Sequence, residues 1–260
     1  MELVRRGLAP SRDRARAEIA SGRVRVAGAP ADKAARLVAP GDPVVVTGPG
    51  PRFVGRGGEK LDAALDRFGV AVDGLDALDA GASTGGFTDC LLQRGAAHVV
   101  AVDVGYGQLD ARLRADPRVT VLERTNVRHL GLDEVGGRRV PVVVADLSFI
   151  SLRTVAPALV ALTEPGGHLV ALVKPQFEAG AAEAARGRGV VRDPDVWRRV
   201  LEEVTGAFAA SGAPVAGLMV SPLRGAEGNV EFLAHFVPGA AEAESSVDIP
   251  ATVAAVAAGR

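Results

Sequence analysis

Cysteine, long apolar runs and net charge are all scarce in this chain, and each scarcity removes a class of protein. A single cysteine, Cys90, excludes a disulfide framework and fits a reducing compartment, so a cytoplasmic location is expected. The longest apolar stretch, 155–173, is broken by Glu164-Pro165-Gly166-Gly167, which argues against a membrane span. No charged-then-apolar secretory start is present. The formal net charge is only -1, yet it hides an asymmetry. Residues 1–60 carry twelve Lys or Arg against six Asp or Glu, a balance of +6, and the other 200 carry eighteen against twenty-five, a balance of -7. A basic N-terminal segment on an acidic body suggests a polyanion-binding appendage. Apolar residues, by contrast, are plentiful: 48% of 260 residues can bury one large domain, or a large one plus a small one.

The most informative stretch is Asp79-Ala-Gly-Ala-Ser-Thr-Gly-Gly86. The run 75–78 before it reads as a buried strand, and Phe87, Cys90, Leu91 and Leu92 after it share one helical face. A strand ending in an acid, followed by a glycine-rich turn into a helix, is built to hold a nucleotide-like cofactor. The register Gly81-x-x-x-Gly85-Gly86 does not fit the G-x-G-x-x-G that grips a pyrophosphate. A second apolar strand, 97–102, ends in Asp103, where a carboxylate can accept both hydroxyls of a ribose. Ribose without phosphate suits S-adenosylmethionine.

Residues 1–47 read as a compact unit, with a helix capped by Ser11 and running to Ala20, a strand edge at 23–26 and another strand at 44–46. The residues 48–57 form a glycine- and proline-rich linker, 58–238 form the main domain, and 239–260 are a tail rich in Ala and Glu. In the main domain, strands are expected near 75–80, 97–103, 118–122, 140–146, 167–174, 214–220 and 229–236. Helices fall near 86–94, 107–115, 151–163 and 194–211, the last capped by Asp193 and striped with Trp197, Val200, Leu201, Val204 and Phe208. The fold class is therefore α/β: a doubly wound, mostly parallel, seven-stranded Rossmann-like sheet with its site at the strands' carboxyl ends, plus a small α+β N-terminal domain. Asp146 and Lys174 each follow an apolar run directly and should emerge there, as natural partners.

The N-terminal spacing "SRDRARAEIASGRVRVAG" then "VAPGDPVVV" resembles the small RNA-binding domain shared by a small-subunit ribosomal protein, tyrosyl-tRNA synthetases and pseudouridine synthases. Its Arg12, Arg16, Arg23 and Arg25 would supply phosphate contacts. Such domains usually begin with an extra element, so here the first one is expected to be shortened or absent. Followed by "RGGEKL", "DAGASTGGFTDCLL", "DVGYGQL", "NVR", "DLSFISL", "KPQFE" and "GNVEF", the whole looks like the TlyA family, ribosomal RNA 2'-O-methyltransferases also called haemolysins, with an FtsJ-like catalytic domain. By motif, that resemblance implies a catalytic tetrad at Lys60, Asp146, Lys174 and Glu231 and cofactor contacts at Gly81, Ser83, Gly85, Gly86 and Asp103, with Asp79 in the same motif and Asn126 near the adenine. It also implies cytidine ribose within ribosomal subunits as the substrate. Arg56, Arg186 and Arg188 join the candidate RNA contacts, the last two with Arg192 in a loop expected to order on RNA.

A ribose 2'-hydroxyl is a weak nucleophile and must lose its proton while attacking the sulfonium methyl in line. Lys174, if neutral, takes that proton; if charged, it stabilises the developing alkoxide, and the sequence leaves both roles open. Glu231 is expected to orient Lys60 and Asp146 to orient Lys174, and no metal is required because the leaving group is already a good one. Methylation of a cytosine ring carbon would need a cysteine where this chain has Asp146-Leu-Ser-Phe. Methylation of an exocyclic amine commonly uses Asn or Asp followed by two prolines, which is missing. The alternatives are a catalytically silent RNA-binding or ribosome-assembly factor and a membrane-active haemolysin, the latter without an amphipathic or spanning segment.

Overall fold

The computed structural model describes residues 2–9, 12–48, 50–180, 183, 189–241 and 247–258. It divides into two compact units, Met1–Arg52 and Phe53–Arg260, with the break inside the segment read as a linker. In the first unit, α1 (Glu2–Arg5) and α2 (Arg12–Ala20) accompany a three-stranded antiparallel sheet of β1 (Val24–Val26), β2 (Ala29–Pro30) and β3 (Val44–Val46), ordered β2-β1-β3. Val24 and Val26 point into a small core with Leu3, Ala9, Ala15 and Ala31, while Arg25 between them faces solvent. A helical turn, α1, stands where a shortened or missing element was expected. Glu2 holds that turn by accepting from Arg6 Nε at 2.6 Å.

The second unit runs α3 (Arg56–Phe68), β4 (Asp76–Ala80), α4 (Gly86–Gln93), β5 (His98–Val102), α5 (Ala111–Arg114) and β6 (Val119–Leu122). It continues with β7 (Val140–Ala145), α6 (Leu152–Leu162), β8 (Thr163–Val173), α7 (Pro175–Glu178), α8 (Pro194–Ala210), β9 (Val215–Val220), β10 (Phe232–Phe236) and α9 (Ile249–Ala258). The seven strands form one sheet ordered β6-β5-β4-β7-β8-β10-β9. All neighbours from β6 to β8 are parallel, and β10 runs antiparallel to both β8 and β9. The parallel strands are mostly apolar because helices cover both faces. One core packs α6 and α8 with Trp197 and Phe208, and the other packs α3 and α4 with Leu61, Leu65 and Cys90.

Three local departures have physical causes. The helix expected from about 107 starts only at Ala111, because Asp110 caps it by accepting from Arg112 N at 2.9 Å. The tail holds α9, an apolar helix (Ile249–Ala258) without the two-sided pattern that marks a surface helix, and it packs on α8 and β9. In α3, Gly57 occupies the first turn although glycine weakens helices, because a Cβ there would meet Phe87 at 3.3 Å.

At the sheet end remote from the strand termini described below, His168 of β8 and His235 of β10 meet, Nδ1 to Nε2 at 3.0 Å, with Phe68 stacked on His235. Burial, helped by His168, holds the His235 ring down to about 4, and burial lowers His168 too. The folded state thus keeps these rings neutral while the unfolded chain protonates them below about pH 6.5. Their contribution is present above that pH and is lost as pH falls toward 4. Urea unfolding between pH 7 and 4.5 should therefore show a shallower acid loss of stability in His235→Gln than in the parent, and equal slopes would refute the assignment.

Candidate active site

A cleft of about 560 Å3 opens at the carboxyl ends of β4 to β7. It lies where the chain changes direction, with β5 and β6 on one side of β4 and β7 and β8 on the other, the place where open parallel sheets bind ligands. Gly81 (φ 89) follows β4, and a Cβ there would lie 2.6 Å from the Asp146 carbonyl oxygen, so only glycine lets the turn pass β7. Ser83 donates its backbone N–H to Asp103 Oδ2 at 2.8 Å, and Gly105 N–H reaches Oδ1 at 2.6 Å. The Asp103 carboxylate is thereby fixed, and each oxygen keeps a lone pair for a hydroxyl. Asn126 lines the cleft with its side-chain oxygen bound to Arg128 N–H at 3.0 Å, which leaves its amide N–H donors for a ligand. Val102, Val104, Val127, Leu147 and Ile150 supply apolar walls.

These features fit S-adenosylmethionine: a space of ligand size, apolar walls for a flat base and a carboxylate for two ribose hydroxyls. The motif "DLSFISL" supplies the wall 147–150 and "DVGYGQL" supplies Gln108, while Thr125 stands outside the quoted motifs and nothing in its spacing marks it. Phe149 stands at the mouth, 92% exposed, with φ 64.

Three expected cofactor residues, Asp79, Gly85 and Gly86, do not line the cleft. Asp79 is fully buried in β4 and accepts from Thr88 Oγ at 2.6 Å; burial, more than the nearby carboxylates Asp146 and Asp103, pushes its carboxyl up to about 7. Gly85 faces inward, where a Cβ would strike Leu113 at 2.2 Å. Gly86 abuts the first turn of α3 and borders a side cavity of about 100 Å3 with Arg56, Gly57, Gly81 and Asp146.

The four tetrad positions converge beside the cleft. Asp146, just past β7, donates its backbone N–H to Ala80 O at 2.9 Å. Lys174, just past β8, places Nζ 2.7 Å from Asp146 Oδ1 and donates to Ser148 Oγ at 2.9 Å. Val173 pairs with Phe232, so the next antiparallel step sets Lys174 beside Glu231. Glu231 in turn receives the Lys60 ammonium, and this ion pair is buried, Lys60 being 6% and Glu231 3% exposed. Gly57, one turn before Lys60, lies over Asp146: a Cβ there would be 3.7 Å from Oδ2. Gly225 presses on the same pair, since a Cβ at that position would sit 2.0 Å from Glu231 Oε1.

The basic candidates divide differently. Arg12 and Arg16 are exposed. Arg25 is exposed and donates to Gly28 O at 3.0 Å. Arg23 is mostly covered, ion-paired with Glu18 and bonded to Ser21 Oγ at 3.1 Å, so it serves the fold of its own unit. Arg186 and Arg188 lie outside the described residues. Beyond them, Asn229 anchors the chain, its Oδ1 accepting from Val191 N at 3.0 Å and its Nδ2 donating to Gly189 O at 2.9 Å.

Comparison with known proteins agrees with this geometry. Residues 53–237 match the model of the FtsJ-like methyltransferase family, and residues 2–44 match that of the S4 domain. The chain is 53% identical over 232 residues to the 16S/23S rRNA (cytidine-2'-O)-methyltransferase TlyA of Mycobacterium tuberculosis, covering 89% of this chain and 86% of that one. It is 40% identical over 186 residues to Hemolysin A of Brachyspira hyodysenteriae, covering 72% and 77%. A solved structure from Streptococcus thermophilus, described as a hemolysin, superposes with a TM-score of 0.79 at 39% identity over 98% of this chain and 94% of that one.

Two measurements test this geometry. Gly225→Ala should displace the Glu231 carboxylate and strand the Lys60 ammonium, lowering stability by about 3–5 kcal/mol in denaturant unfolding; a loss under 1 kcal/mol would contradict the buried pair. Asp79, raised in the fold, favours the folded state only while protonated. Stability should therefore fall as pH rises from about 4 to 7, by up to ~4 kcal/mol relative to Asp79→Asn.

Proposed function

The chain belongs to the TlyA branch of the FtsJ-like methyltransferases, and we propose that it methylates the ribose 2'-hydroxyl of a cytidine in ribosomal RNA, using S-adenosylmethionine, on ribosomal subunits in the cytoplasm. The observation that carries the reading is the pairing of Lys174 with Asp146, 2.7 Å apart at the edge of the nucleoside-shaped cleft. When bound, the cofactor supplies an electrophilic methyl on a sulfonium, whose departure as a neutral sulfide needs no metal.

The residues of the chain do the rest. Asp103 and Asn126 hold the nucleoside end in the cleft, and Gly81 leaves room for it. Lys174 Nζ is the group nearest the target oxygen. It passes one proton to Asp146 Oδ1, which has no other hydrogen bond, and takes the hydroxyl proton in its place. The pair thereby gains the proton that the hydroxyl loses and ends with one positive charge, while the sulfonium loses its own, so the total charge of the site is unchanged. Ser148 Oγ fixes the direction of Nζ, and the Lys60–Glu231 pair behind it adds a cation that stabilises negative charge on the oxygen.

The S4-type unit supplies RNA affinity through Arg12, Arg16 and Arg25, and Arg56 supplies a phosphate contact at the cleft edge, while the cleft chooses the atom. A catalytically silent binding factor would have no use for two lysines drawn from solvent beside such a cleft. As for the membrane-active alternative, no helix among the described residues is long and apolar enough to cross a membrane.

Incubating unmodified ribosomal subunits with radiolabelled S-adenosylmethionine should place label on a cytidine ribose. Lys174→Ala should lower the rate by about 100- to 10,000-fold while binding the cofactor within a fewfold of the parent. Methylation at the parent rate by a folded Lys174→Ala would remove the catalytic assignment.

A further inference from the structure

The loop 146–151, which walls the cleft, meshes position by position with the segment that follows β8. Lys174 meets Asp146 and Ser148, as above. Phe177 packs on Phe149 with ring centroids 5.1 Å apart. Glu178, at the end of α7, then takes the start of α6: Oε2 accepts from Ser151 Oγ at 2.5 Å and Oε1 from Leu152 N at 2.7 Å. Arg153 completes the joint by donating to the Glu178 carbonyl at 3.0 Å, with Nε 3.6 Å from Oε2. Glu178 is 3% exposed, and burial raises its carboxyl despite these donors. A buried acid with no contact to the cleft calls for a reason.

A second observation supplies one. Phe149 holds a left-handed backbone (φ 64) that a side chain avoids unless its surroundings enforce it. The loop is anchored at its start by the Asp146 N–H bond to Ala80 and at its end by the Glu178 carboxylate. Between these two anchors lie Leu147, Ser148, Phe149 and Ile150, all of them lining the cleft.

We infer that Glu178 is a positioning residue: by tying down the N-terminus of α6 it holds the loop in the one shape that both walls the cofactor cleft and presents Asp146 and Ser148 to Lys174. Cofactor affinity and the geometry of proton transfer therefore depend on the same carboxylate, although it touches neither ligand. The inference rests on the proposed reaction for its second half only.

Glu178→Gln tests it in the full chain, because the amide fills the same space but sets an N–H donor against one of the two donors it must receive. The expected result has three parts: binding of S-adenosylhomocysteine weakened about tenfold by calorimetry, faster hydrogen exchange across 147–152, and kcat lowered about 10- to 100-fold with KM for ribosomal RNA unchanged. Ser151→Ala, which removes one of the two bonds together with the cap that Ser151 Oγ gives α6 by accepting from Arg153 N at 3.2 Å, should lose less on each measure, and Ser151→Thr should restore what the alanine lost. Parent-like binding and exchange in Glu178→Gln would overturn the inference, as would losses in kcat and KM that merely track a lower melting temperature. If Glu178→Gln does not fold, the Ser151 pair decides by the same readouts. Absence of methylation by the parent would sink the proposed reaction, whereas homocysteine-product binding and exchange would still decide the role of Glu178.

Discussion

The Lys60–Glu231 ion pair is almost completely withdrawn from water, and burying two charges costs several kcal/mol per ion unless their geometry is held closely. That constraint reaches through the catalytic unit. Lys60 comes from the second turn of α3 and Glu231 from the residue before β10, so the helix and the strand are tied across a separation of 171 positions. Gly225 allows the turn before β10 to lie against the carboxylate, and Gly57 allows α3 to lie over Asp146. A larger residue at Gly225 would move a charge in a region where water cannot compensate for the error. The site is consequently built before any ligand arrives, which is the condition under which fixed charges lower a barrier most.

The second pair has the opposite character. Asp146 and Lys174 are more open, with side chains 24% and 12% exposed; Asp146 lines the cleft and Lys174 meets it through that contact. The buried pair sets the scaffold, and in the proposed reaction the more open pair meets the substrate. Topology brings them together cheaply: parallel strands β7 and β8 both end at the same edge, and antiparallel β10 begins there. One rim thus receives two acids and an amine from three neighbouring strands, with the second amine delivered by the helix packed across them.

Much of this was legible in the residues because a parallel sheet converts order along the chain into position at one rim. Asp146 and Lys174 each terminate an apolar run, so their emergence together followed from the alternation of strands and helices alone. The glycine-rich turn was harder. Its glycines look alike in sequence, yet Gly81 faces the Asp146 backbone, Gly85 faces Leu113 and Gly86 faces α3, because a left-handed turn rotates successive residues to different sides. Asp79 was misplaced for a related reason: the end of β4 is covered by α4, whose Thr88 takes the carboxylate. Short or uniform elements left no pattern to read, as with the two residues of β2 and the apolar α9. Arg23 shows a further limit, since a basic residue at a strand edge looks the same whether it meets phosphate or, as here, Glu18.

The placement of the sole thiol clarifies why this scaffold suits oxygen rather than ring-carbon chemistry. Attack on a pyrimidine ring carbon requires a thiolate that can reach the base, and Cys90 is sealed in the core beneath α4 with no exposed surface. The nucleophile must then come from the RNA itself, and a sugar hydroxyl is its most accessible oxygen once phosphates are held from outside. For such a reaction the protein needs only a proton path and a fixed cation near the attacking oxygen. In the proposed reaction two amine–acid pairs at one sheet edge meet both needs, one pair by taking up the hydroxyl proton and the other by keeping its charges in place.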